Sequence, residues 1–392
     1  MNKYIKTGIV LLFLPVSFLA QNTIDNVLAE VEKNNTNLSA YRKSSDAEKI
    51  GNKTGLTPQN PEVEFNYLWG NPTASGNRID FSVKQSFDFP TAYSYKNQIS
   101  NLKNEQAELE YQKQRNEILH QTRLVCVELT YLNALKVELN KRLNNATQIA
   151  NAYKLRYKLG ELGILDYNKA QVIQLNISKE TETTEIERKT LLSELAKLNG
   201  GIEIGFKDSV FVQPAISIDF EKWYTQVEQG NPMLQWIKQE ITISQKQKQL
   251  HTAMSLPKFN AGYMSEKVVG QQFQGVSVGV SIPIWENKNM IKYAKAKTIA
   301  IQGVEADAKL QFYNQMKSLH SKAVSLQNSV IDFRKQLNAY SNAGLLKKAL
   351  EKGEISLSEY LFELSLYYES IDSLLEMEKN QQKAFAELNR YL

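Results

Sequence analysis

The chain of 392 residues holds only 18 glycines and 9 prolines, roughly 7% against a usual ~12%, which disfavours a loop-rich all-β protein and leaves room for long helices. Its 42% hydrophobic and 23% charged content excludes both a polar disordered chain and a helical polytopic membrane protein. With 47 basic against 42 acidic residues, one cysteine (Cys126) and three histidines far apart in sequence (His120, His251, His320), nothing points to nucleic acid, a disulfide framework, a metal site or a cofactor.

Lys3 and Lys6 precede an apolar run from Ile9 to Val16 that continues through Phe18-Leu19-Ala20 and ends at polar Gln21-Asn22. A basic start, a short apolar stretch and a small residue before a polar one predict a secretory signal peptide over 1–20, cut after Ala20. The run is about half the ~20 residues that a spanning helix needs, and Pro15 interrupts it. No later stretch is long and apolar enough to cross a bilayer as a helix, so any crossing falls to strands.

Residues 21–200 then switch period from helix to strand and back. Val63, Phe65, Tyr67 and Trp69 alternate with Glu62, Glu64 and Asn66, predicting a strand over 62–69 with one apolar and one polar face. A second strand, over about 78–89, sets Ile79, Phe81, Val83 and Phe87 against Asp80, Ser82, Lys84 and Ser86. From Tyr93 to Tyr157 there is no proline or glycine. Ile118, Val125, Leu132, Leu139, Ala146 and Tyr153 recur every seven residues, with Leu129, Leu143, Ala150 and Tyr157 four positions on. That is a heptad seam on one long helix, broken once at Lys136. The Gly160–Gly163 stretch marks where the helix turns back.

Residues 201–220 read as a linker, with a short strand at Ser209–Val212. In 221–392 the pattern recurs. Strands are predicted over about 258–264 and 273–284, the latter alternating Val276, Val278, Val280, Ile282 and Ile284 with Ser277, Gly279 and Ser281. The turns Trp69–Asn77 and Ser265–Gln272 read as exposed loops on one side of the sheet. A last heptad helix carries Leu357, Leu361, Leu364, Tyr368, Ile371 and Leu375, with its turn at Gly353–Ser356.

The chain is therefore written twice. Asn35–Leu38 matches Asn231–Leu234, Pro61 matches Pro257, Val83–Phe89 matches Val278–Ile284, and Leu159–Tyr167 matches Lys352–Tyr360, at offsets of 193 to 196 residues. Four matches in one order are a true repeat. The fold class is α+β, a duplicated helix–strand–strand–helix unit. Strands of eight to ten residues with aromatics at their ends suit a tilted bilayer crossing. Four strands cannot close a barrel, and an open sheet would leave unpaired backbone groups in lipid. Spanning strands therefore demand an oligomer of eight, twelve or sixteen strands.

This order, Asn231-Pro232 opening the second copy, and the two turn motifs resemble the TolC family of outer-membrane efflux proteins over essentially the whole chain from about Thr23 to Leu392. The family pattern of Arg-Tyr, Gly, a small residue and an acidic residue reads here as Arg156-Tyr157, Gly160, Gly163 and Asp166. In the second copy Gly353, Ser356 and Glu359 take those places, while Leu350-Glu351 replaces Arg-Tyr. The resemblance implies the outer-membrane efflux protein fold: a homotrimer whose twelve-stranded barrel crosses the outer membrane and continues into a periplasmic helical barrel. It further implies a passive conduit of a Gram-negative cell, docked to a periplasmic adaptor and an inner-membrane pump of the resistance-nodulation-division type. Its small size looks most like the cation and heavy-metal branch, with drug efflux and type I protein secretion as the other cargo readings. Gly160, Gly163, Gly353 and Ser356 are the expected adaptor-docking tips. Glu161, Asp166, Glu354 and Glu359 are either solvated helix ends or rings of charge at the tunnel mouth that favour cations.

The G-x-S-x-G pattern Gly275–Gly279 lies inside strand alternation, so Ser277 lacks the sharp turn that would expose a nucleophile. No enzyme is expected. A periplasmic adaptor or a secreted coiled-coil scaffold would leave the four alternating strands unexplained. Cys126, between Val125 and Val127, reads as a packing residue.

Overall fold

The computed structural model describes residues 24–340 and 342–392, so the segment 1–20 read as a signal peptide lies outside the described residues. The helices are α1 (Ile24–Asn34), α2 (Thr36–Gly51), α3 (Pro90–Lys158), α4 (Ile164–Leu198), α5 (Phe220–Gly230), α6 (Pro232–Met254), α7 (Met290–Ala339), α8 (Ala343–Lys352) and α9 (Leu357–Leu388). Strands β1 (Glu62–Trp69) and β2 (Asn77–Phe87) precede α3, while β3 (Lys258–Val268) and β4 (Gln271–Ser281) precede α7.

The repeat has a physical cause at each of its sequence matches. Asn35 and Asn231 are both N-caps: the side chain of Asn35 accepts from the amide of Leu38, and that of Asn231 accepts from the amides of Met233 and Leu234. Each cap satisfies donors that the first helical turn leaves orphaned. Both are buried, which raises the cost of losing them.

Helix α3 runs 69 residues, roughly 100 Å at about 1.5 Å per residue. Its heptad positions Val125, Leu129, Leu132, Leu139, Ala146 and Ala150 are buried, and Cys126 packs among them, its thiol pushed up to about 12 by burial. Lys136, the break in the seam, is used: its ammonium lies 2.7 Å from Glu185 on α4. Each copy builds a core of its own. Val27, Val31, Leu38, Leu129 and Leu195 form one. Trp223, Tyr224, Val227, Phe312 and Leu388 form the other. A third cluster joins Ala170 of the first copy to Leu357, Tyr360 and Leu364 of the second.

The structure departs from the sequence reading in four places. The stretch Ser209–Val212 forms no strand: it bends at Val210, and side chains rather than a neighbouring strand meet the carbonyls around it. Asn133 donates to the carbonyl of Asp208 (2.9 Å), Gln327 to that of Pro214 (3.0 Å) and His320 to that of Ser217 (2.7 Å). Most of the second loop is strand: β3 and β4 pair up to Val268–Gln271, and Gly270 at φ 72° lets two residues make the turn. The strand ends also differ, β2 stopping at Phe87 and β4 at Ser281. Finally, the second copy divides the counterpart of α3 into α7 and α8, around Asn338, Asn342 and Gly344, which are poor helix formers.

Glu108 on α3 clamps α2, lying 2.7 Å from both Arg42 and Lys49. Hydrogen bonds from Arg42 and then Lys49 hold its carboxyl down at about 2. Its folded value lies below the usual ~4.3, so the clamp contributes above that pH and is lost as pH falls through about 2. Partial exposure of all three groups keeps the contribution modest. Thermal midpoints measured between pH 6 and pH 2 should fall more steeply for the native protein than for Glu108→Gln, whose α2–α3 contact no longer titrates. Asn231→Ala should cost about 1 kcal/mol in the same measurement at neutral pH.

Candidate functional site: a two-faced sheet and two helical tips

The four strands form one antiparallel sheet in the order β1-β2-β3-β4. Directly paired residues share a face, so the register sorts every side chain. The row Val63–Val83–Tyr263–Val276 lies on one face. With it lie Phe65, Tyr67 and Trp69, Ile79, Phe81 and Phe87, Phe259 and Ala261, and Val278 and Val280. The opposite face carries Glu62, Glu64, Arg78, Asp80, Lys84, Lys258 and Glu266. Lys267, near the β3–β4 turn, is the one charged strand residue on the apolar face.

Among the described residues nothing covers this apolar face: Val276 is 85% and Val278 80% exposed. A continuous apolar surface of this kind marks a lipid or partner contact. Tyr67 and Trp69 meet edge to face at 5.4 Å near one end of β1, and Trp285 stands exposed past the other end of β4. On the polar face Arg78 lies 2.8 Å from Asp80 and 3.3 Å from Glu266, so that face neutralises part of its own charge. Among the described residues β1 pairs only with β2 and β4 only with β3, which leaves two open edges.

Far along the helices, the two tips repeat one motif. At the first, Gly160 (φ 75°) follows α3, with Gly160 N–H donating to Tyr157 and Glu161 N–H to Arg156. At the second, Gly353 (φ 73°) follows α8, with Gly353 N–H donating to Leu350 and Glu354 N–H to Ala349. Both are Schellman turns, which need a residue in the left-handed region. An added Cβ would meet no neighbour at either glycine, so backbone strain alone selects glycine there.

The starts of the returning helices differ. Gly163 is the N-cap of α4 and offers no side chain, and a Cβ there would have open space. Ser356 is the N-cap of α9 and forms a capping box with Glu359. Ser356, an expected docking tip, also secures the helix start. The hydrogen bond from the Ser356 amide, followed by that from its hydroxyl, lowers the Glu359 carboxyl below its usual value.

The other charge candidates have different partners. Glu161 lies 3.5 Å from Arg156, and Glu354 lies 3.9 Å from Lys352. Asp166 stands in the first turn of α4, where a negative charge suits the helix dipole. Tyr157 and Tyr167 stack at 5.0 Å across the first tip, while Leu159, Ile164 and Leu165 are exposed around it.

The two hairpins are docked side by side. Asn145 donates to the Tyr360 hydroxyl (2.8 Å) and Lys169 to the Ser358 hydroxyl (2.6 Å). Deeper in, buried Arg142 on α3 forks onto both oxygens of Asp372 on α9 and lies over the Tyr368 ring, 4.4 Å from its centroid. Sequence reasoning missed Arg142, because a lone arginine beside a heptad row reads as solvated and its partner is 230 residues away.

No protein-family model and no curated protein sequence matches the chain. Solved structures do. The Campylobacter jejuni CmeC outer membrane channel is 13% identical, with a TM-score of 0.72 over 94% of this chain and 85% of its own. CusC, a structure described in terms of transmembrane channel formation, is 13% identical at TM-score 0.72, covering 94% and 91%. The open state of the Neisseria gonorrhoeae MtrE outer membrane channel is 14% identical at 0.67, covering 94% and 88%. The chain has the outer-membrane efflux channel fold.

Within this channel fold the two tips should respond differently to substitution. Ser356→Ala should cost about 1 kcal/mol by removing a working cap, seen as faster amide exchange in the first turn of α9. Gly163→Ser should leave exchange in α4 unchanged or slower.

Proposed function

We propose that this protein is the outer-membrane channel of a tripartite efflux system, a passive trimeric conduit in the outer membrane of a Gram-negative cell. The observation that carries this reading is the sheet: an uncovered apolar face beside two open edges. In lipid, each unpaired backbone group on those edges costs several kcal/mol. Joining β4 of one copy to β1 of the next removes that cost, and closure turns the charged face inward onto a water-filled lumen. Three copies, the number that the family resemblance implies, close twelve strands.

Helices α3, α4 and α7–α9 extend the conduit into the periplasm and present the tips Gly160–Gly163 and Gly353–Ser356 to an adaptor that links the channel to an inner-membrane pump. Small solutes are its cargo. Among them cations suit the mouth, where Asp166 has no ion-pair partner among the described residues and negative groups draw positive solutes.

Native mass spectrometry in detergent should give a trimer that heating separates into monomers; a folded monomer in the unheated sample would overturn the reading. Thr73, in the short helical turn between β1 and β2, should label as Thr73→Cys with an impermeant maleimide on whole cells. Silence in an assembled protein would reverse the orientation. Gly163→Trp, with open space for its side chain, should leave trimer yield unchanged while abolishing crosslinking to the adaptor and efflux. Full efflux by that variant would remove the first tip from docking.

A further inference from the structure

The apolar face of the sheet is bounded by a slanting line. On β1 it is still apolar at Trp69. On β2 it begins at Ile79, one position inside polar Asn77 on that face. On β3 it begins at Tyr263, beyond Ser265 and Lys267, and on β4 at Val276, beyond Gln272 and Gln274. Yet the pairing sets Tyr263 and Val276 level with Val63, six residues along β1 from Trp69. A membrane surface is flat, so a boundary that falls six residues across one protomer's strands records how far those strands tilt.

Tilt and closure together restrict how protomers join. Following paired residues from β1 through β4 to the next β1 must return to the same face, so the offset per protomer is an even number of residues. At ~3.4 Å per residue and ~4.8 Å between strands, offsets of four, six and eight correspond to tilts of about 35°, 47° and 55°. An offset of four sets Trp69 opposite polar Gln274, above the apolar boundary of β4. An offset of eight needs a tilt well beyond the ~35–45° that membrane barrels adopt. Six meets the boundary and lies nearest that range.

Resting on the conduit reading, we infer that β4 of one copy pairs antiparallel with β1 of the next in a single register, Val276 opposite Trp69, Val278 opposite Tyr67, Val280 opposite Phe65 and Ile282 opposite Val63. The occupant of each open edge is thus a second copy of this chain, and the register spends the whole of β1 against residues 276–283. Every lipid-facing residue of β1 then meets an apolar partner. On the lumen side Glu64 meets Ser281 and Asn66 meets Gly279, so no like charges face each other across the seam. Proline 283, which has no amide to donate, falls at the last position of the ladder, where a strand tolerates it. The exposed run Ile282–Ile284, outside β4 in the single protomer, gains its covering strand here.

Disulfide trapping tests the register. Outward and inward pairs alternate between the close and the wide rungs of an antiparallel ladder, so one pair of each kind is used: Tyr67→Cys with Val278→Cys, and Glu64→Cys with Ser281→Cys. Shifted controls are Tyr67→Cys with Val276→Cys or Val280→Cys, and Ser281→Cys with Glu62→Cys or Asn66→Cys. Cys126 is buried, with its thiol pushed up to about 12, and adds no background. After mild oxidation of outer membranes, one of the two matched pairs should yield covalent dimers and trimers on denaturing gels about tenfold faster than its shifted controls, since a disulfide tolerates only a narrow span between Cα atoms. Faster crosslinking by a shifted pair overturns the register. No crosslink from any pair, in a preparation that is trimeric and conducts ions in planar bilayers, overturns the pairing and leaves the conduit reading standing. A non-conducting monomer is instead the failure of the conduit reading itself.

Discussion

The constraint on which the rest of this structure depends is the backbone hydrogen bond at a sheet edge. A four-stranded sheet in water can leave its edges to solvent; the same sheet in lipid cannot. Here, among the described residues, the apolar face is uncovered and both edges are open, so in lipid a single chain would be incomplete. In the proposed conduit, association supplies the missing bonds, and closure decides which face meets lipid and which meets water. The sheet's division of charge, with Lys267 as the exception near the β3–β4 turn, fits that closure.

The helices solve a different problem, that of holding a very long hairpin straight and doubled. The heptad seam of α3 does this by burial, and its one polar break is answered by the Lys136–Glu185 pair. Buried Arg142 ties the first hairpin to the second through Asp372 and Tyr368. Breaking one partner of such a pair strands a buried charge, which is far costlier than the pair's own net worth. Polar contacts of this kind fix how the hairpins register against each other, a task that a uniform apolar seam performs poorly.

At the tips, the two copies keep the same turn and change the helix start. Both use glycine in the left-handed region to stop one helix. Only the second starts the next with a capping box, so Ser356 and Glu359 belong first to local stability. The first tip leaves its helix start bare and is rimmed by exposed Leu159, Ile164 and Leu165. Divergence between the copies has separated a secured end from an apolar, uncapped one.

Elements governed by local chemistry were legible in the sequence. The duplication, the long helices and the two-faced strands follow from period, and period depends on nothing beyond neighbouring residues. Gly160 and Gly353 were legible for the same reason, since backbone angles belong to single residues. The strand ends, the tight turn at Gly270 and the break between α7 and α8 were not legible, because extended chain stays strand only while a partner pairs with it and weak helix formers yield only where packing permits. The unpaired stretch at Ser209–Val212 shows the same limit, its carbonyl neighbours held by Asn133, Gln327 and His320 from distant helices. Arg142 with Asp372, and the level at which Trp69 stands relative to Val276, exist only once distant segments meet. The sequence by itself determined which elements form and which face of each is apolar; tertiary structure alone decided their partners and register, because those depend on contacts between residues that the chain keeps far apart.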